Sequence, residues 1–216
     1  MEKNMRKWVI FDMDGVIVDS EYTFLSSKTE MLLDRGIDTD ESYQYQFMGT
    51  TFDYMWRVMK EECQLEDSVE DLIAEMNRRR QEMIDRDGVK AIKGAKELIQ
   101  FLTKKGYQLA VASSSPKDDI EKNLAALGLS QYFKVTVSGE EVAHSKPQPD
   151  VFLRAAQLLG AEPEKTFVFE DTKNGSLAAK AAGMICIGFV NPDYPKQDLS
   201  ACDYLVEKFE DSYAYF

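Results

Sequence analysis

The chain is poor in the residues that build disulfide frameworks and zinc sites: its 216 residues include three cysteines and one histidine. Cys63, Cys186 and Cys202 are odd in number, widely separated and without a CxxC pair, and His144 offers no partner set for zinc. The cysteines therefore read as reduced packing residues. Positive charge is in deficit as well, with 26 lysines and arginines against 38 aspartates and glutamates, a formal net charge of −12 and a pI of about 4.7. That balance disfavours broad electrostatic attraction to nucleic acid or to an anionic membrane and suits a solvated enzyme acting on small molecules. No apolar run approaches the length that spans a bilayer. The opening MEKNMRKW passes into the first strand without a secretory apolar segment, so the expected location is cytoplasmic. Internal repeats and low-complexity tracts are missing too.

What is present is concentrated in Val9 to Glu21, which reads VIFDMDGVIVDSE. An apolar strand delivers two carboxylates, Asp12 and Asp14, to its C-terminal edge, and unpaired carboxylates resist desolvation, so a fold that keeps them there needs a use for them. Residues two apart in a strand point the same way, and Asp12 and Asp14 can address one point as the chain leaves the sheet. Two anions aimed together call for a cation. A hard divalent ion such as magnesium takes oxygen ligands and bridges carboxylates to a substrate phosphate, which would let Asp12 attack phosphorus and Asp14 protonate the departing oxygen. The plain alternative is a strand end with solvated acids.

Three further stations repeat the pattern of strand followed by polar groups. Gln108 to Ala112 runs into Ser113, Ser114, Ser115 and Pro116, expected to cap a helix bearing Ile120, Leu124 and Leu127. Val135 to Val137 leads to Ser145-Lys146-Pro147, where a lysine stands between a strand and a helix carrying Phe152, Ala155, Ala156 and Leu159. Phe167 to Phe169 ends in Glu170-Asp171, followed by Thr172 and an alanine-rich helix that stops at Gly183. Each has a bland reading as a cap or a solvated charge. In an open parallel sheet, however, the carboxyl ends of the strands form the ligand crevice, where acid, hydroxyl, lysine and acid pair would converge. Phosphoryl transfer needs that combination.

These four motifs, in this order, resemble those of the haloacid dehalogenase superfamily, and FDMDGVIVDSE resembles its branch of sugar-phosphate phosphatases and beta-phosphoglucomutases. The resemblance covers essentially the whole chain. It implies that Asp12 is the nucleophile, with an oxygen on magnesium, and that Asp14 is the general acid and base, ligating the metal through its backbone carbonyl. It further implies that Ser113, with Ser114, binds the transferring phosphoryl group, that Lys146 neutralises nucleophile and phosphate, and that Glu170 and Asp171 complete the Mg2+ site. The substrate class implied is a small phosphorylated metabolite, a sugar or polyol phosphate.

The expected fold is α/β, a three-layer Rossmann-like parallel sheet core with an inserted all-helical cap subdomain. Residues 1–18 and 89–216 make the core and residues 19–88 the cap. Between Asp19 and Gly88 no strand pattern stands out, while helical spacing recurs at Phe52, Met55, Trp56 and Met59 and again at Val69, Leu72, Ile73 and Met76. The resemblance identifies this insert as the cap. Substrate-facing candidates in it are Glu21 and the turn Gly49-Thr50-Thr51, with Arg78, Arg79 and Arg80 better read as a solvated helix face. Beta-phosphoglucomutases carry an arginine just after the cap glycine turn and a histidine near the start of the cap. Here Phe52 and Asp53 follow the turn, and the histidine is His144. A mutase must hold a second phosphate, so hydrolysis is the favoured expectation. The alternatives are a phosphosugar mutase and a non-catalytic phosphate-binding or regulatory module. The sequence assigns no oligomeric state, and a monomer is compatible with it.

Overall fold

The computed structural model describes residues 8–48 and 52–216. The chain divides into two compact units, Met1–Asp19 with Val89–Phe216, and Ser20–Gly88. Six strands form the first unit's sheet: β1 (Trp8–Phe11), β2 (Gln108–Ser113), β3 (Phe133–Ser138), β4 (Thr166–Glu170), β5 (Ile185–Phe189) and β6 (Tyr204–Val206). Their order is β3-β2-β1-β4-β5-β6, and every pairing is parallel.

Parallel strands covered on both faces should be apolar almost throughout, and the inner strands β1, β2, β4 and β5 are, while the edge strands β3 and β6 carry exposed residues such as Lys134 and Leu205. In β1, Val9 and Phe11 join one buried cluster while Ile10 joins the other. The first cluster is completed by Ala95, Leu98, Ile99 and Leu102 and by Ile120 and Leu124. The second takes Val151, Phe152, Ala155 and Ala156 together with Ala178 and Ala179. The period-two alternation of each strand thus feeds two helix layers, giving the three-layer α/β sandwich. Phe11 stacks on Phe169 of the neighbouring strand at 5.1 Å between ring centroids, tying β1 to β4.

The order of strands decides where a site can form. The chain begins in the middle of the sheet at β1, winds outward through β2 and β3, then returns to β4 on the other side of β1. The reversal opens a crevice at the carboxyl ends of β1 and β4, the location where open α/β sheets bind ligands.

The second unit is helical, built from α1 (Glu21–Asp34), α2 (Glu41–Gln44), α3 (Phe52–Cys63) and α4 (Val69–Asp87). The helices of the first unit are α5 (Ala95–Lys104), α6 (Lys117–Ala126), α7 (Asp150–Leu159) and α8 (Lys173–Ala181). In the helical unit Trp56, Met59, Leu72 and Met76 are fully buried with Met31 and Leu32 from α1, so most of the periodic residues form its core, while Phe52 is exposed at 39 %. Its arginines differ from expectation. Arg78 is exposed beside Glu82, but Arg79 pairs with Asp34 and Glu75, and Arg80 lies 3.2 Å over the Phe24 ring while its Nε donates to Thr23. Ion pairs and a ring face replace water for two of the three. Among the described residues, no helix is long and apolar enough to cross a membrane.

Candidate active site

Asp12 follows β1 directly, and its backbone N–H donates to the Phe169 carbonyl at 2.9 Å, extending the pairing with β4 by one residue. Its carboxylate is buried at 6 % exposure. Lys146, from the segment between β3 and α7, donates its ammonium to Asp12 Oδ1 at 2.5 Å, to Glu170 Oε1 at 2.7 Å and to the Ala112 carbonyl at 3.2 Å. The ammonium also lies 4.7 Å from the Phe152 ring. The ends of three strands, β1, β2 and β4, meet on one lysine.

Glu170 is held from its other oxygen. Glu170 Oε2 accepts from the backbone N–H groups of Asp171 and Thr172 and from the Thr172 hydroxyl, each at 2.9 Å. Thr172 in turn caps α8 by accepting from Gly175 N–H at 3.1 Å. The carboxylate lies so close over this first turn that a Cβ on Gly175 would sit 1.6 Å from Glu170 Oε1. Gly15 plays the matching part for Asp171. Its φ of +76° favours glycine, and a Cβ there would meet Asp171 Oδ2 at 2.0 Å. The two glycines are the seats of the two acids.

One oxygen from each of Asp12, Glu170 and Asp171 can be chosen so that all lie within 4.8 Å of one another. Three carboxylates against one ammonium leave a surplus of negative charge in a buried place. Its effect is visible on Asp12, whose pKa is pushed up to about 7 by burial first and by the charges of Glu170 and Asp14 next, with Lys146 pulling the other way. For Lys146 burial disfavours the charged form, but Asp12 and Glu170 outweigh it and hold its pKa above the ordinary lysine value. An all-oxygen donor set with unbalanced negative charge fits a hard divalent cation.

Asp14 is placed differently. Its carboxylate turns to the end of β2, where Asp14 Oδ2 accepts from Ser115 Oγ at 2.6 Å and from Ser113 Oγ at 3.3 Å. Ser113 Oγ also accepts from the Ser115 backbone N–H at 3.0 Å. The three serines therefore do not cap α6 with their side chains. Pro116 takes the N-cap position there with no side-chain cap bond, and the hydroxyls are left for Asp14. Ser114 is exposed and Ser113 buried. Glu21 opens α1 in the helical unit, and Gly49 and Thr50 lie outside the described residues. His144 has a partner that the sequence did not reveal, with Nδ1 2.9 Å from Asp150 Oδ1. Ser115 as a partner of Asp14 and the Ala112 carbonyl as a partner of Lys146 were also missed. The serine run was the available signal for the first, and backbone acceptors leave none.

Residues 9–189 match the family model of haloacid dehalogenase-like hydrolases. A phosphorylated carbohydrates phosphatase of Thermotoga maritima is 32 % identical over 176 residues, covering 82 % of this chain and 81 % of its own. A fructose-1-phosphate phosphatase of Escherichia coli is 33 % identical over 177 residues, covering 82 % and 92 %. Among solved structures, a hydrolase of Deinococcus radiodurans R1 with bound phosphate and sodium superposes with a TM-score of 0.84 at 28 % identity, covering 97 % of this chain and 94 % of that one.

Proposed function

The chain belongs to the haloacid dehalogenase-like hydrolases, and from that premise we propose that it is a magnesium-dependent phosphatase that hydrolyses a sugar or polyol phosphate through an aspartyl-phosphate on Asp12. The observation that carries the reading is the buried Lys146 ammonium shared between Asp12 at 2.5 Å and Glu170 at 2.7 Å. It fixes the Asp12 carboxylate while leaving Asp12, Glu170 and Asp171 able to share a cation.

Asp12, Glu170 and Asp171 would hold a magnesium ion, which would supply neutralisation of charge on the equatorial phosphoryl oxygens. Asp12 attacks phosphorus in line, and Ser113 donates its hydroxyl to a phosphoryl oxygen. Lys146 balances the charge of nucleophile and phosphoryl group. Asp14 protonates the departing alcohol oxygen. In the second half-reaction the same carboxylate, now deprotonated, takes a proton from the water that attacks the acyl phosphate. Phosphate leaves and Asp12 is restored. The unit Ser20–Gly88 is read as the cap that recognises the alcohol, with Glu21 and the Gly49-Thr50 turn as its substrate-facing residues. The sugar or polyol class rests on the substrates named for the relatives. Hydrolysis is preferred to phosphosugar transfer because Phe52 and Asp53 follow the cap turn where an arginine would be needed to hold a second phosphate.

The test is release of phosphate from an aryl phosphate and from a panel of phosphorylated sugars and polyols, with magnesium and with chelator. The expected result is magnesium-dependent release that Asp12→Asn abolishes. Release that persists in Asp12→Asn would overturn the mechanism. Conversion of glucose 1-phosphate to glucose 6-phosphate, primed by a bisphosphate and faster than hydrolysis, would overturn the preference over a mutase.

A further inference from the structure

The sheet carries a second reactive arrangement that the phosphatase reading does not use. Cys186 in β5 and Cys202, just ahead of β6, bring their sulfur atoms to 3.4 Å. Their backbones are clamped together. The Asp203 N–H donates to the Cys186 carbonyl at 2.9 Å, and Asp203 Oδ2 accepts from the Cys186 N–H at 2.7 Å. Lys180 holds the Asp203 carboxylate at 2.7 and 2.8 Å. The residue next to Cys202 is thus fastened to both peptide groups of Cys186. Two residues beyond Cys186 in β5, a Cβ on Gly188 would lie 2.8 Å from Cys202 Sγ, so the thiol occupies space that the glycine leaves open. Cys186 is buried and Cys202 partly exposed.

We propose that Cys186 and Cys202 form a dithiol that a hydroperoxide oxidises to an intramolecular disulfide. Cys202 is the attacking sulfur, because a small oxidant can reach it and because the hydrogen bond with Cys186 holds its pKa below the ordinary thiol value even though burial opposes this. Cys186 is held above the ordinary value by that same hydrogen bond and by burial, and it stays protonated. The Cys202 thiolate attacks one oxygen of the hydroperoxide, the O–O bond breaks, and Cys202 becomes a sulfenic acid while an alcohol departs, or water when the oxidant is hydrogen peroxide. The Cys186 sulfur then attacks the sulfenic sulfur. A sulfur–sulfur bond forms, and the hydroxyl leaves as water with the Cys186 proton. Two thiols have lost two electrons, which have reduced the O–O bond. The clamp at Asp203 supplies the high effective concentration that makes the second step intramolecular. The product ties β5 to the segment entering the edge strand β6.

The test treats the full chain with hydrogen peroxide, denatures it in an alkylating reagent and reads intact mass and peptide map. The expected product is about 2 Da lighter than the reduced chain. It has Cys63 as its one alkylatable thiol, yields a peptide joining Cys186 to Cys202, and regains all three thiols with a dithiol reductant. Cys63→Ser should still give the lighter species and Cys202→Ser should not. Addition of oxygen at Cys202 without the lighter species, or linkage of chains through Cys63, would overturn the proposal. Neither result bears on phosphate release, which reads the acids around Lys146.

Discussion

Among the described residues each unit hides one lysine side chain, and the two meet opposite fates. Lys146 in the sheet unit faces two carboxylates and a carbonyl, and its pKa is held up. Lys28 in the helical unit is equally hidden, at 4 % exposure, but its ammonium donates to the Met55 thioether sulfur at 3.5 Å. Burial lowers its pKa to about 8, Glu21 opposing and Arg80 adding to the effect. Desolvation acts on both; what differs is whether anions stand within contact. A buried cation that is compensated belongs to a charge network with work to do. One that faces sulfur costs stability.

Removing the compensated lysine should give the largest effect. Lys146→Met leaves Asp12 and Glu170 facing each other in a buried place, and breaking such a pair costs about 3–5 kcal/mol. Denaturant midpoints should fall accordingly, and phosphate release should drop about 1000-fold or more, since the change also withdraws charge from the nucleophile and the phosphoryl group. A variant of near-normal stability would show that Lys146 is no more integrated than Lys28.

Gly175→Ala tests the same network without touching a charge. Alanine raises helix propensity in α8, so a purely local account expects a gain in stability. The new Cβ instead falls 1.6 Å from Glu170 Oε1 and must displace that carboxylate from Lys146. Displacement by about 1 Å is enough for roughly a 100-fold loss of turnover. The expected signature is that loss together with a weaker magnesium dependence and unchanged helical circular dichroism.

Lys28→Met should move stability in the other direction. Wherever the folded pKa is depressed, the unfolded chain binds more protons between about pH 8 and the ordinary lysine value near 10.5, so stability rises with pH across that window. Below pH 8 both states are charged and the full penalty applies, up to about 3 kcal/mol. The methionine variant should be more stable than wild type at pH 7 by about 1–3 kcal/mol and should lose the alkaline rise, in urea titrations at a series of pH values. A wild-type profile flat from pH 8 to 10.5 would contradict the contrast between the two lysines.

That contrast was only half legible in the residues. Lys146 could be picked out because it stands between two strand-and-helix patterns with prolines around it, and the acids could be picked out because apolar runs end in them. Strand alternation and helix period are local, and local signals carry the sheet, α3, α4 and the order of the motifs. Lys28 was silent for a physical reason: α1 buries Thr23, Ser27, Lys28 and Thr29 along with Leu25, Met31 and Leu32, so no apolar period marks its inner face. The turn of Asp14 toward Ser115 and the closeness of Cys186 to Cys202 depend on which strands become neighbours. No spacing along the chain encodes that. The serine run misled because Pro116 could take the cap position by itself, leaving the hydroxyls for Asp14.

The smallest expected effect is the most direct check on what separates the two lysines. Met55→Glu places a carboxylate where Lys28 now meets sulfur, making the environment of the second lysine resemble that of the first. Burying a further charge and pairing it nearly cancel, so the net stability at pH 7 should change by less than about 1 kcal/mol. What should change is the shape of the profile. With an anion in contact, Lys28 keeps its proton in the folded state through pH 8 to 10, and the alkaline rise should disappear as it does in Lys28→Met. The two variants then part above pH 10.5, where the unfolded chain of Met55→Glu gives up the lysine proton that the folded pair still holds, so its stability falls, while Lys28→Met has no proton to lose and stays level. If Met55→Glu retained the alkaline rise, the thioether would not be what distinguishes Lys28, and its depressed pKa would have to come from the rest of the helical unit, with Arg80 the cation to remove next.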